Sequence, residues 1–259
     1  MPIVSSFSLK GGVGKTTTAV NIAHIASSLG VRTLLWDLDP QGAASFFLKA
    51  KPDAHFDQSL ARSMKRLSSY IVPTAYSDLD AIPTDFNNKR FEDLLSQGGG
   101  SSTRLQKILF PLLARYDLIV LDCPPGISQL AANALNASDM TLVPTIPTSL
   151  SVRTLGHLRK YAKEIECSSR MLGFFNLYDV RRSLHRATFD YYLAFHEEKM
   201  LKTAIPYSAI VERMGQQRRP LTDFAWSSRP SMAYRELYKE ILSILEPAWC
   251  LKLPMAEGS

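Results

Sequence analysis

Leu9-Lys10-Gly11-Gly12-Val13-Gly14-Lys15-Thr16-Thr17 stands between the apolar run Ile3–Ser8 and a segment in which Ala19, Ile22, Ala23, Ala26 and Leu29 share one helical face. A strand, a glycine-rich loop and a helix in that order build a phosphate cradle. Gly11, Gly12 and Gly14 allow a tight turn that brings backbone N–H groups against phosphate oxygens. The helix that follows turns its positive end toward the same anion. Lys15 is placed to reach β- and γ-phosphates, and the Thr16 hydroxyl to ligate Mg²⁺. The strict form of this loop carries glycine where Leu9 stands. Here an additional lysine, Lys10, opens the turn.

Working outward, Gly30 is a natural stop for the first helix. Further apolar runs read as strands: Arg32–Trp36, Leu79–Ile82, Leu118–Leu121, Met140–Val143, Met171–Phe175 and Thr203–Ile205. They lack strict alternation, as strands buried on both faces do. Helical periods lie between them at Phe86–Leu95, Thr103–Arg115, Gln129–Ala137, Ser151–Ile165, Ser183–Lys199 and Ser231–Leu245. This order predicts a three-layer, doubly wound α/β fold whose mostly parallel sheet has helices on both faces. Residues 1–259 read as one domain, with the nucleotide motifs mainly in 1–150. The glycine-rich stretch Gln97–Ser102 reads as a loop within it.

The composition is that of an ordinary globular chain: 259 residues, 46% hydrophobic and 21% charged. It excludes disordered and fibrous classes, and no apolar run reaches the length of a membrane span. Cys123, Cys167 and Cys250 are widely spaced and odd in number, which suits a reducing cytoplasm and no disulfide framework. The net charge of +6 is unevenly placed. Residues 1–150 carry 13 basic and 12 acidic side chains, residues 151–220 carry 13 and 7, and the remainder 4 and 5. A basic surplus confined to one stretch is the footprint of a polyanion-binding face, or of a solvated surface.

Lys10 to Thr17 resembles the deviant Walker A motif of the ParA/MinD family of ATPases. Leu34–Gly42, with Asp37 and Asp39, is similar to that family's second-strand segment, and Tyr116–Pro125 to its Walker B strand and turn. Asn133-Ala134-Leu135, Val143-Pro144, Gly173–Arg181 and Ile205-Pro206 continue in family order, closest to the short ParA-type members. The resemblance implies a P-loop NTPase fold, ATP/ADP with Mg²⁺, and an ATP-dependent homodimer. It makes Gly11 to Thr17 the phosphate cradle, including the backbone of Val13. Asp122 ends a buried strand at the sheet edge where such folds bind ligands, and suits Mg²⁺ coordination through water. Asp37 suits the same task. The resemblance gives Asp39 the orientation of the attacking water; both aspartates also suit capping of the next helix. Lys10 is the family's signature lysine, implied to reach the partner subunit's nucleotide as an arginine finger does. Asn176 resembles the adenine-reading position and equally suits a turn or cap. Pro206 and Tyr207 resemble the loop over the base.

Arg181 falls on the family's Asp-x-Arg position, and Arg182, Arg213, Arg218 and Arg219 extend the basic stretch toward non-specific double-stranded DNA. Two departures stand out: Ile210 where family members carry Arg, and Thr148 where many carry Glu. Partners implied are DNA and a ParB-like or cargo adaptor that stimulates hydrolysis, on the nucleoid in the cytoplasm. The end, Glu246–Pro254, has two prolines and one lysine and makes a poor membrane helix, against a MinD-like membrane role. An iron–sulfur reductase role lacks the paired cysteines it needs.

Overall fold

The apolar runs become a single seven-stranded sheet in the computed structural model, which describes residues 2–52, 64–84, 95, 102–195 and 199–245. The strands are β1 (Ile3–Ser6), β2 (Thr33–Asp37), β3 (Val72–Pro73), β4 (Leu79–Ile82), β5 (Leu118–Asp122), β6 (Met140–Thr145) and β7 (Arg170–Phe175). Their order is β3-β4-β2-β5-β1-β6-β7, and every pairing is parallel except the short β3 on β4. Alternate residues of β5 feed opposite cores. Ile119 and Leu121 join Trp36 and Phe7 on one face, while Leu118 and Val120 join Val4 and Leu35 on the other. That is how a sheet covered on both sides uses its pleat.

The helices are α1 (Lys15–Ser28), α2 (Ala43–Leu48), α3 (Arg104–Leu109), α4 (Gln129–Ala137), α5 (Ser149–Glu164), α6 (Ser183–Phe195), α7 (Ala209–Gln217), α8 (Leu221–Phe224) and α9 (Arg229–Ile244). α1 and α9 pack on the Val4 side, with Ile22, Ala26, Tyr234 and Leu237 fully buried. α3, α4 and α5 cover the other side through Leu109, Ala134, Leu135 and Leu158. α1 ends where Gly30 takes φ +77° and Val31 N donates to Ala26 O at 3.1 Å, a turn that glycine enters without strain. Ser128 opens α4 by accepting from Ala131 N at 3.1 Å. Thr148, the residue in place of the family's glutamate, opens α5 by accepting from Ser151 N at 3.4 Å. A hydroxyl cap is worth about 1 kcal/mol to a helix.

Thr203–Ile205 is not a strand. The chain there meets β7 at single hydrogen bonds, Leu201 N to Gly173 O and Ile205 N to Phe175 O, each 2.8 Å, and forms no continuous ladder. Glu240 draws it aside: its carboxylate accepts from Lys202 N at 2.6 Å and Thr203 N at 3.0 Å, taking donors a ladder would need. Pro206 supplies no N–H. Thr103–Arg115 divides into α3 and a 3-10 turn, Phe110–Ala114, at Pro111. The helix expected over 86–95 lies outside the described residues except for Leu95, as do residues 97–101, residues 196–198 of the helix expected over 183–199 and the chain from 246 onward.

Candidate functional site

β1, β2 and β5 end together at one sheet edge, and their last residues bring the carboxylates together. Asp37 is the register partner of Asp122 across β2 and β5, and Ser6 that of Asp122 across β1 and β5. The loop from residue 9 to 14 leaves β1 at this edge and enters α1. Gly12 and Gly14 sit at φ +72° and +92°, left-handed values that a side chain would strain. At Gly14 an added methyl group would also overlap the Asn176 amide. A cleft of about 440 Å³ opens here, lined by Gly11, Gly12, Gly14, Lys15, Thr16 and Thr17 at one end and by Leu177, Ile205, Pro206 and Val211 at the other. The first end offers amides and a cation, the second an apolar seat.

Lys15 is 6% exposed, and its Nζ donates to Lys10 O at 3.4 Å across the loop. Its carbonyl accepts from Ser6 Oγ at 2.9 Å, tying the loop's exit to β1. Asn176, at the end of β7, donates from Nδ2 to Val13 O at 2.7 Å. Among the expected roles of Asn176, this contact makes it a brace of the phosphate loop, while the residue also lines the cleft. Pro206 lines the cleft as expected. Tyr207 does not; it is 52% exposed.

The carboxylates differ in what they hold. Asp37 Oδ2 accepts from Ser45 N at 2.8 Å and Ser45 Oγ at 2.6 Å, and Oδ1 from Asp39 N at 3.2 Å. Ser45 is in the first turn of α2, so Asp37 does hold the next helix. Burial pushes its carboxyl up to about 6 against these hydrogen bonds. Asp39 lines the cleft and accepts from Gln41 N at 3.0 Å. Asp122 is fully buried, and neither carboxylate oxygen accepts a hydrogen bond of good geometry; among the described residues the Thr16 hydroxyl beside it is its one polar neighbour acting as a donor. Its pKa is raised well above the ordinary range by burial and then by Asp37. Thr16 and Lys15 beside it pull the other way. A buried, orphaned carboxylate costs several kcal/mol unless something pairs with it. A cation next to Thr16 would pair it, so these residues fit Mg²⁺. No three His, Cys, Asp or Glu side chains among the described residues can hold a metal by themselves. The rest of the coordination therefore falls to Thr16, water and phosphate oxygens, which is the habit of Mg²⁺. Cys123, also fully buried, has its thiol pushed up by burial and Asp122 and stays protonated.

Lys10 stands apart from the cleft. It lines a small recess on the other side of the loop with Ser8, Val143, Pro144, Thr145 and Ser151. The five arginines of the basic stretch are unequal. Arg181 donates to both oxygens of Asp179 at 2.9 Å, and Arg219 to both of Asp223 at 2.6 and 2.8 Å. Arg218 lies over the Phe46 ring at 4.5 Å. Arg182 and Arg213 are exposed without an ion pair among the described residues. Ile210, in place of the family's arginine, is packed against the α1–α9 core.

Sequence reading missed α2 as an element, and with it Ser45, the partner of Asp37. The signal was weak: six residues, AASFFL, with no capping side chain.

A left-handed glycine loop between β1 and α1, a buried lysine and an orphaned aspartate at the carboxyl edge of a parallel sheet define a P-loop nucleotide-binding protein. The family model described as an AAA domain matches residues 1–171. The chain belongs to that family, within its ParA/MinD group of P-loop ATPases. It is 29% identical over 247 residues to the sporulation initiation inhibitor protein Soj of Bacillus subtilis, covering 92% of this chain and 97% of that one. Its fold is similar to a Cyanothece McdA variant solved in complex with ATP (TM-score 0.81, 20% identity, 93% and 96% coverage). It is also similar to the septum site-determining protein MinD of Pyrococcus horikoshii solved with Mg-ADP (TM-score 0.74, 21% identity, 94% and 97% coverage). Among the described residues no helix is long and apolar enough to cross a membrane.

Proposed function

We propose that this chain is a ParA-type ATPase that binds ATP and ADP with Mg²⁺, pairs as a nucleotide-sandwich homodimer on ATP, and associates with DNA without sequence preference. The observation that carries the reading is Asp122: two buried oxygens with no hydrogen bond of good geometry, faced by the Thr16 hydroxyl of the phosphate loop. Mg²⁺ would supply charge neutralisation on the phosphate oxygens there. The loop amides and Lys15 hold the β- and γ-phosphates, and the α1 dipole favours their charge. Asp39, on the cleft wall, orients the attacking water. The Leu177–Pro206–Val211 end seats the base. Lys10 does not line its own cleft, so its cation is free to serve the partner's phosphates. Hydrolysis then requires the dimer. A ParB-like or cargo adaptor stimulates it, and the released monomers leave the nucleoid to rebind nucleotide, which segregates DNA or places a cargo.

Lys10→Ala tests this. Calorimetry should find ATP·Mg²⁺ binding within a few-fold of wild type. Turnover with DNA and adaptor should fall by 10³ or more, on the order of an arginine-finger loss. Retained turnover, or lost binding, would count against the role in trans.

A further inference from the structure

Lys49 and Lys51 belong to the half of the chain whose charges balance, yet the fold carries Lys49 to the basic half, with Lys51 two residues further along the chain. α2 packs against α7, and the join is specific. The Phe46 carbonyl accepts from Lys49 N at 3.3 Å and from Arg218 Nε at 3.3 Å. The Arg218 guanidinium also lies over the Phe46 ring at 4.5 Å, a contact that fixes a cation without neutralising it. Lys49 ends α2 in the left-handed region, φ +55°, and is exposed, as is Lys51. None of Lys49, Lys51 and Arg218 has an acidic partner among the described residues. Arg181 and Arg219, by contrast, are each clamped on an aspartate. Gln216 and Gln217 are exposed beside Arg218 and add neutral donors. Lys49 and Arg218 meet at one backbone carbonyl without an ion pair among the described residues, and cations held so repel one another and are relieved by an external polyanion.

We propose that the seam between α2 and α7 is a phosphate-binding surface for duplex DNA, with Lys49 and Lys51 as its contacts beside Arg218. This rests on the DNA association proposed above; it sets aside the paired Arg181 and Arg219 and adds unpaired cations of α2 to the unpaired Arg182 and Arg213. Each phosphate contact contributes about 0.9 to the slope of log affinity against log salt, or roughly eightfold at about 0.1 M.

The test uses the full chain with ATP·Mg²⁺ and a fluorescent duplex, titrated by anisotropy at several salt concentrations. Lys49→Asn, chosen because asparagine tolerates the left-handed turn, combined with Lys51→Ala should lower the slope by about 1.8 and the affinity roughly 60-fold. Lys51→Ala alone should lower the slope by about half as much, should the double variant fold poorly. Lys160→Ala on α5, a lysine near Glu164 at 4.0 Å, should change neither. Wild-type binding with an unchanged slope in the double variant overturns the proposal and leaves DNA association standing. An equal loss in Lys160→Ala also overturns it, because net charge alone would then account for binding. A wild-type chain with no salt-sensitive affinity overturns both readings together.

Discussion

Replacing Asp122 by asparagine should make the nucleotide-free protein more stable while destroying its metal-dependent affinity. The wild-type carboxyl is fully buried, without a hydrogen bond of good geometry, and raised in pKa by burial and by Asp37 against the pull of Thr16 and Lys15. Its folded pKa lies above the unfolded value of 3.8, so the native state binds the proton more tightly than the unfolded one. Stability attributable to this group is then greatest at low pH. It declines as pH rises from the unfolded toward the folded pKa, by about 1.4 kcal/mol per unit for one proton. Asparagine keeps the shape and removes the titration. Relief of an unsatisfied buried charge is worth about 1–3 kcal/mol, or about 2–4 °C per kcal/mol for a chain of this size. The assay is thermal and urea denaturation of both proteins without nucleotide, at pH 4.5 and pH 7.5, beside calorimetric titration with ATP·Mg²⁺. A variant no more stable than wild type at pH 7.5, or a gain undiminished at pH 4.5, would refute the reasoning. Retained Mg²⁺-dependent affinity would refute the metal assignment separately.

Three further outcomes follow from the same site. Mg²⁺-dependent nucleotide affinity should rise as pH climbs through about 6, where Asp37 sheds its proton, and go on rising above it while the still higher Asp122 titrates, by roughly tenfold per unit for each proton displaced; calorimetry at several pH values checks it. Asn176→Ala leaves Val13 O without its buried donor and should cost about 1–3 kcal/mol in denaturation, with weakened ATP binding. Gly14→Ala meets both a left-handed φ and the Asn176 amide, and should lose about 1–3 kcal/mol. Combining it with Asn176→Ala should recover the overlap part, so a double-mutant cycle with no coupling would remove Asn176 as the obstacle.

Much of this architecture is legible in the chain because the relevant physics is local. The apolar runs at Ile3, Arg32, Leu79, Leu118, Met140 and Met171 need no partner to declare themselves, and each falls within two residues of a strand end. The phosphate loop is equally plain, since its glycines and lysine act within one turn. What escapes is non-local. Val72–Pro73 is a strand only because β4 offers it an antiparallel edge. α7 reads AIVERMGQQ, amphipathic through Ile210, Val211 and Met214 but only nine residues long, too short to stand without tertiary packing. The clamps on Arg181 and Arg219 are local by contrast, from Asp179 two residues before and Asp223 four residues after, and a count of charges over a long stretch passes over them. Conversely, Lys49 and Lys51 look balanced by their neighbours until α2 meets α7.

Ser45 donates its hydroxyl to Asp37 and accepts from Thr84 N at 2.9 Å. Its single proton is therefore already committed. Whatever draws Asp37 Oδ2 away must leave that hydroxyl seeking a new acceptor and loosen the start of α2. The serine works as a gauge: its exchange rate, or the chemical shift of its amide, would register the occupant of the neighbouring carboxylate without any label on the nucleotide.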